Sequence, residues 1–227
     1  MDRRAFLKKA VAATRVAGIT PIAGAGVLDA IPNTALAKSL KTKTMKIVVL
    51  TGSPRRNGNT NYLAEQFIAG AKENGHEVFR FDCAEHEVAG CMACNHCDTN
   101  GNCVLKDDFE IIRPHLIDAN MVVFVTPMYY FGFSAQLKSV VDRFYAINDR
   151  IKGAAKKTAL LMAYADTAER EAEAMLLHYR TLVRYLGWED CGTVVAPGVW
   201  TAGSVKNTRY GNDAYRLGKR IEAIEKL

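Results

Sequence analysis

Five short runs rich in apolar residues, separated by longer stretches with helical spacing, set the rhythm of the chain from about Lys46 onward. Ile47-Val48-Val49-Leu50 and Met121-Val122-Val123-Phe124-Val125-Thr126 are apolar almost throughout, as strands buried on both faces of a parallel sheet are. Glu77-Val78-Phe79-Arg80-Phe81 alternates polar and apolar, which suits a strand near a sheet edge. Lys157 to Ala165 and Thr193-Val194-Val195-Ala196 supply the fourth and fifth strands.

Helical patterns lie between these runs. The first spans about Thr60 to Asn74, with Leu63, Phe67, Ile68 and Ala71 on one face and Gly75 past its end. A second spans Asp107 to Asp118, with Asp107 as cap and Pro114 predicting a kink or break. A long third one, Ala168 to Leu186, carries Ala172, Met175, Leu176, Tyr179, Leu182 and Val183 at helical spacing and stops at Gly187. Pro197 to Tyr210 reads as a loop containing Trp200, and Asn212 or Asp213 caps a final amphipathic helix to the C-terminus. Strands alternating with helices predict a doubly wound α/β sheet. At 227 residues and 49% hydrophobic content, one domain with one substantial core is expected.

Three stretches carry chemistry. Thr51-Gly52-Ser53-Pro54-Arg55-Arg56-Asn57-Gly58-Asn59-Thr60 joins the first buried strand to the first helix. Backbone N–H groups unpaired at a helix N-terminus, with the positive end of the dipole behind them, favour a phosphate. Ser53, Asn59 and Thr60 add short donors, Arg55 or Arg56 adds charge, and Gly52 and Gly58 let backbone approach a ligand. A surface loop without a ligand can share these features. The loop has neither the Gly-Lys-Ser/Thr ending of a Walker loop nor a three-glycine dinucleotide fingerprint.

The second stretch is Cys91-Met92-Ala93-Cys94-Asn95-His96-Cys97 with Cys103 beyond it, spaced C-x2-C-x2-C-x5-C and holding four of the six cysteines. Thiolates this close can wrap one compact soft-metal centre. Structural zinc, disulfides or free thiols are the alternatives. His86 and His96 read as solvated loop residues, and Cys83 and Cys191 as small core residues. The third stretch, Pro127-Met128-Tyr129-Tyr130-Phe131-Gly132-Phe133, puts four aromatics into five positions directly after a central strand. They suit a flat ring system, and a loop packed on its own core or an oligomer interface is the alternative.

These stretches resemble those of the flavodoxin-like flavoproteins of the NADPH-dependent FMN reductase and iron–sulfur flavoprotein type, over nearly everything after about Lys43. There Gly-Ser-Pro-Arg-x-x-Gly-Asn-Thr holds the ribityl phosphate of FMN, and Pro-x-Tyr-x-x-x-x-Ser-x-Gln-Leu-Lys-x-x-x-Asp-Arg, ending here at Asp142-Arg143, forms the isoalloxazine loop and following helix. The resemblance implies five parallel strands in the order 2-1-3-4-5, with the ligand at the switch point between strands one and three. It assigns FMN to Ser53, Arg55, Asn57, Asn59, Thr60, Pro127, Met128, Tyr129, Tyr130 and Gly132. It assigns a 4Fe–4S cluster to Cys91, Cys94, Cys97 and Cys103, within an insert spanning 83–106. The family's third flavin loop falls at Tyr164-Ala165-Asp166-Thr167, which has no glycine, so flavin contacts are not expected there. A homodimer or homotetramer is implied, the cluster of one subunit approaching the flavin of another.

Charge and the leader complete the picture. Residues 1–37 carry five basic and two acidic side chains, which is +3 of the formal +6. The remaining chain, with 25 basic and 22 acidic residues, gives no basic stripe for nucleic acid. Asp2-Arg3-Arg4-Ala5-Phe6-Leu7-Lys8-Lys9 resembles a twin-arginine export signal, with Asp2 where Ser or Thr is usual. Ala10 to Ile31 is too polar and interrupted for a membrane span, and Ala35-Leu36-Ala37 offers a cleavage site before Lys38. An amphipathic helix or an uncleaved anchor is the alternative. Export to the periplasm of a folded domain, residues 38–227, is expected.

The expectation is an FMN-dependent oxidoreductase passing electrons between a redox partner and FMN through the cluster. An electron-carrier protein or a small redox molecule is the expected partner. NAD(P)H as donor, which the resemblance implies, conflicts with export. A plain NAD(P)H-dependent FMN or quinone reductase and a thiol-based redox sensor are the rivals. No side chain stands out as a catalytic acid, base or nucleophile.

Overall fold

The computed structural model describes residues 43–222. The leader expected at 1–37, the cleavage site expected before Lys38 and the chain after 222 lie outside the described residues. Five parallel strands form one sheet in the order β2-β1-β3-β4-β5. They are β1 (Lys46–Thr51), β2 (Glu77–Asp82), β3 (Met121–Pro127), β4 (Lys157–Ala163) and β5 (Glu189–Ala196). The helices are α1 (Asn59–Glu73), α2 (Phe109–Asp118), α3 (Ala135–Asp142), α4 (Asn148–Ile151), α5 (Glu173–Leu186) and α6 (Tyr210–Lys219).

The unbroken apolar character of β1 and β3 has the reason assigned to it, since both faces of the sheet are covered. Ile47, Val49, Met121, Val123, Val125 and Leu161 join Leu63 and Phe67 of α1 and Leu217 of α6 in one core. Val48, Leu50, Val122, Phe124, Leu160 and Met162 join residues of α2, α3 and α5 in the other. The period of two along each strand sends alternate side chains to opposite cores. β2 and β5 are the edges, and their polar residues lie there.

Several boundaries differ from the sequence reading. α2 runs through Pro114 without a break. Proline there removes only the bond to the Glu110 carbonyl, and Phe109, Ile112 and Leu116 still bury one face. The Ala168–Leu186 helix divides into a 3₁₀ turn at Glu169–Ala172 followed by α5. β4 stops at Ala163, and β5 starts earlier than the apolar pattern showed because its polar start is anchored at the open edge. Lys157 meets Glu189 at 2.8 Å, and Tyr179 donates to Asp190 at 2.9 Å. α6 starts at Tyr210, ahead of Asn212 and Asp213. A 3₁₀ turn at Arg143–Ile147 and the short α4 after it were not foreseen. Cys83 is buried as expected, whereas Cys191 is only partly so. His86 is no free loop residue: it stacks on Phe81 at 4.2 Å and contacts Asp108 at 3.2 Å.

Candidate functional site

The loops after β1, β3, β4 and β5 meet at the C-terminal end of the sheet and enclose a cavity of about 270 Å³. Its walls include Ser53, Arg55, Gly58, Asn59, Thr60, Pro127, Met128 and Tyr129, together with Tyr164, Ala165, Val199, Trp200 and Ala202. A larger groove of about 740 Å³ runs beside edge strand β5 and shares Tyr164 with it. The groove has walls of mixed charge, while the helix N-terminus and the aromatic loop converge on the smaller cavity. Position within the fold therefore outweighs size.

α1 begins against this cavity with no side chain capping it and no acidic residue in its first turn, so its first N–H groups keep their affinity for an anion. Ser53 is buried and its Oγ accepts from the Arg55 amide at 3.2 Å, which leaves the hydroxyl proton free to donate. A Cβ at Gly58 would lie 2.8 Å from the Arg55 carbonyl and 3.1 Å from Ser53 Oγ, so glycine keeps this cradle open. Arg56 is drawn off to Glu85 at 2.9 Å. Arg55 makes no ion pair among the described residues, so of the two arginines it is the one at the site.

Asn59 has different work from that expected. Its Nδ2 donates to the Val199 and Thr201 carbonyls at 2.9 and 3.0 Å, and its Oδ1 accepts from the Val205 amide at 3.2 Å. The side chain thus ties the start of α1 to the loop after β5. Asn57 is exposed and outside the cavity. Asn61, which the sequence did not single out, is buried and donates to the Arg55 and Arg56 carbonyls, holding the loop from behind. Gly52 also differs in role. A Cβ there would collide with Ser134 Oγ and lie 2.8 Å from Leu137 Cβ, so glycine at this position serves loop-to-loop packing.

In the aromatic loop, Pro127, Met128 and Tyr129 line the cavity and Tyr130 and Gly132 do not. Tyr129 and Gly132 exchange both backbone hydrogen bonds at 3.1 Å, closing a two-residue turn. Tyr130 (φ 44°) and Phe131 (φ 64°) occupy its tip in the left-handed region, and Tyr130 is fully exposed. Phe133 turns inward onto Phe124 and His178. Tyr164 and Ala165 line the cavity although glycine is absent from their loop. Burial, then the nearby Glu169 and Asp166, holds the Tyr164 phenol above its ordinary value.

The cysteines lie elsewhere, beyond the far end of α3. Cys91, Cys94, Cys97 and Cys103 together line a small cavity of about 10 Å³ with Met92, Asn95, Val104, Leu105, Arg143, Tyr145 and Ala146. All are free thiols; Cys91 and Cys94 are exposed, Cys97 and Cys103 buried. Ala93, Asn95, Asp98 and Thr99 have positive φ, which coils this segment tightly. Among the described residues no three His, Cys, Asp or Glu side chains converge to hold a single metal ion. His96 is exposed, as expected.

Arg143 closes the flavin-type motif in the sequence, yet its guanidinium serves the cysteine segment. It is fully buried and donates to the Ala89 carbonyl at 3.1 Å, the Leu105 carbonyl at 3.3 Å and the Asp107 carboxylate at 2.6 Å. Burial pushes the Asp107 carboxyl up, but Arg143 and the Ala89 and Phe109 amides outweigh it and hold the group below its usual range. One arginine thereby grips the chain on both sides of the four cysteines.

Comparison with known proteins places this geometry in context. Residues 45–204 match the NADPH-dependent FMN reductase family. An iron–sulfur flavoprotein of Methanocaldococcus jannaschii is 29% identical over 192 residues, covering 81% of this chain and 98% of that protein. The NAD(P)H:quinone oxidoreductase of Methanothermobacter marburgensis superposes with a TM-score of 0.63 at 19% identity, over 79% of this chain and 100% of that one. An FMN-dependent NADH-azoreductase of Bacillus anthracis, solved in complex with FMN, gives a TM-score of 0.58 at 14% identity, over 78% and 99%. The chain belongs to the NADPH-dependent FMN reductase family and is a flavin-dependent oxidoreductase.

Proposed function

We propose that this protein is an exported iron–sulfur flavoprotein that passes electrons between a redox partner and FMN by way of a 4Fe–4S cluster on Cys91, Cys94, Cys97 and Cys103. The observation that carries the reading is that one short segment lines a single cavity with all four thiols. A cluster takes one thiolate on each iron, so its ligands stand around a volume instead of converging on one point. The donor set fits this group. The enclosed space is only about 10 Å³, so seating a cluster there would require the exposed Cys91 and Cys94 to move outward. FMN supplies two-electron hydride chemistry and the cluster single electrons.

The side chains bind and orient. The amides opening α1, Ser53, Thr60 and Arg55 suit the ribityl phosphate, and Asn59 contributes by holding the neighbouring loop in place. Pro127, Met128 and Tyr129 present a wall for a flat ring, and Tyr164 and Trp200 line the same cavity. α3 separates the aromatic loop from the cysteine cavity by eight residues, roughly 12 Å of helix. This separation favours a homodimer or homotetramer in which the cysteine segment of one subunit meets the flavin cavity of another. Among the described residues no helix is long and apolar enough to cross a membrane. Export away from the cytoplasmic nicotinamide pool favours an electron-carrier protein or a small redox molecule as partner.

Expression from Lys38 under anaerobic conditions, with FMN and iron quantified together, tests this. The expected result is one FMN and about four irons per chain. Flavin without iron would overturn the cluster and leave a plain NAD(P)H-dependent FMN or quinone reductase. Reduction by NADPH much faster than by reduced ferredoxin or cytochrome would overturn the assignment of partner.

A further inference from the structure

We propose that Arg143 raises the reduction potential of the cluster, by setting an unpartnered N–H and a buried positive charge against the cysteine cavity. The inference rests on the cluster reading above.

Anchoring the segment accounts for only part of this side chain. Its Nη1 and Nη2 are taken by Ala89, Asp107 and Leu105. Its Nε is buried and has no partner among the described residues. Leaving a donor unpaired in a fully buried guanidinium is costly, and a purely structural clamp would not favour it. The same residue lines the cavity shared by the four thiols. A cluster sulfur held there would offer an acceptor beside this residue, and a hydrogen bond from Nε to it would satisfy the orphan.

Electrostatics sets the direction. An iron–sulfur cluster becomes more negative on reduction, so a nearby cation and hydrogen bonds to its sulfurs favour the reduced form. Asp107 opposes this at 2.6 Å from Nη1. It does not line the cavity, whereas Arg143 does, so the positive end of the pair is nearer the sulfurs. Phe109 lies 4.8 Å from the guanidinium carbon and keeps water from screening the charge.

The test is a redox titration of the iron-loaded protein, following cluster absorbance and the EPR signal of the reduced state, for Arg143→Gln and Arg143→Lys. Both substitutions are expected to lower the midpoint, Gln more than Lys, because Lys keeps the charge and loses the Nε–H. A merely structural role would lower iron content and thermal stability while leaving the potential of the loaded fraction unmoved, and that result overturns the proposal. If Arg143→Gln holds no cluster, Arg143→Lys decides alone: a lowered midpoint supports the proposal and an unchanged or raised one sinks it. Wild-type protein that takes up no iron would remove the cluster reading, and this proposal with it. Wild-type protein that loads normally beside variants of unchanged potential would remove this proposal only.

Discussion

The Ser134 hydroxyl donates to the Gly52 carbonyl at 2.7 Å, joining two loops 82 positions apart in the chain. The same oxygen accepts from the Leu137 amide and caps α3, while the Ser134 amide donates to Thr126 Oγ1 at 3.1 Å. One buried side chain therefore fixes the loop after β1 to the loop after β3. Ser134→Ala strands a buried carbonyl and removes a cap, at a cost of about 1–3 kcal/mol. Gly52→Ala forces a methyl into Ser134 and Leu137 and is expected to cost about as much through overpacking. Both should weaken FMN binding as well as stability. Urea unfolding and a flavin fluorescence titration check this, and unchanged flavin affinity in a destabilised protein would contradict the link between the loops.

Asn59 and Asn57 stand two residues apart and differ in function. Asn59→Ala removes three hydrogen bonds to the loop after β5 and frees the opposite wall of the cavity. A loss of about 1.4 kcal/mol in flavin binding, roughly tenfold in Kd, is expected. Asn57→Ala changes an exposed residue outside the cavity and should leave Kd within about twofold, since surface changes of this kind stay near 0.5 kcal/mol. Equal losses in the two variants would overturn this division of roles.

This pair also marks how far the sequence could be read. Strand order and the meeting of the loops after β1 and β3 follow from uniformly apolar runs and from alternation, which every residue of an element reinforces. The cysteine segment was visible through spacing. The roles of single polar side chains were not. A short run of Asn, Thr and Asn looks the same whether it faces a phosphate, as Thr60 can, or a loop 140 residues away, as Asn59 does. Arg143 was visible only as the end of a flavin-type motif, because its partners Ala89 and Leu105 are backbone carbonyls, which any residue provides. Tyr164 was set aside for want of a neighbouring glycine, yet a strand end places it on the cavity wall whatever follows it.

The turn from Tyr129 to Gly132 holds two aromatic residues at positive φ, where Asn-Gly would be at ease. The left-handed conformation costs about 1–2 kcal/mol for each such residue. Replacing Tyr130 by Asn and Phe131 by Gly should therefore stabilise the protein by about 1–2 kcal/mol, while lowering turnover if the exposed rings steer a substrate or partner to the flavin. Chemical denaturation paired with steady-state kinetics separates the two effects. A variant that is both less stable and equally active would mean that the rings serve packing.

Thiol reactivity should divide five of the six cysteines according to their surroundings. Burial pushes the Cys83 thiol up to about 12 from an ordinary 9.0, so it stays protonated and shielded in the native protein at neutral pH. Alkylation of metal-free protein followed by mass spectrometry should label Cys91 and Cys94 first, Cys97 and Cys103 later, and Cys83 only on unfolding. The same shift has a consequence for stability. A thiol harder to ionise when folded contributes fully below its unfolded value and loses that contribution as pH rises from about 9 toward 12. Tyr179, raised chiefly by burial, adds a fall of the same sign at higher pH. Lys156, lowered by burial to about 8, acts oppositely, so stability gains as pH rises from about 8 toward 10.5. Comparing the pH dependence of unfolding in wild type and Cys83→Ala cancels the other two groups. The expected difference is a steeper alkaline loss in wild type, and parallel curves between pH 9 and 12 would show that Cys83 ionises as freely folded as unfolded.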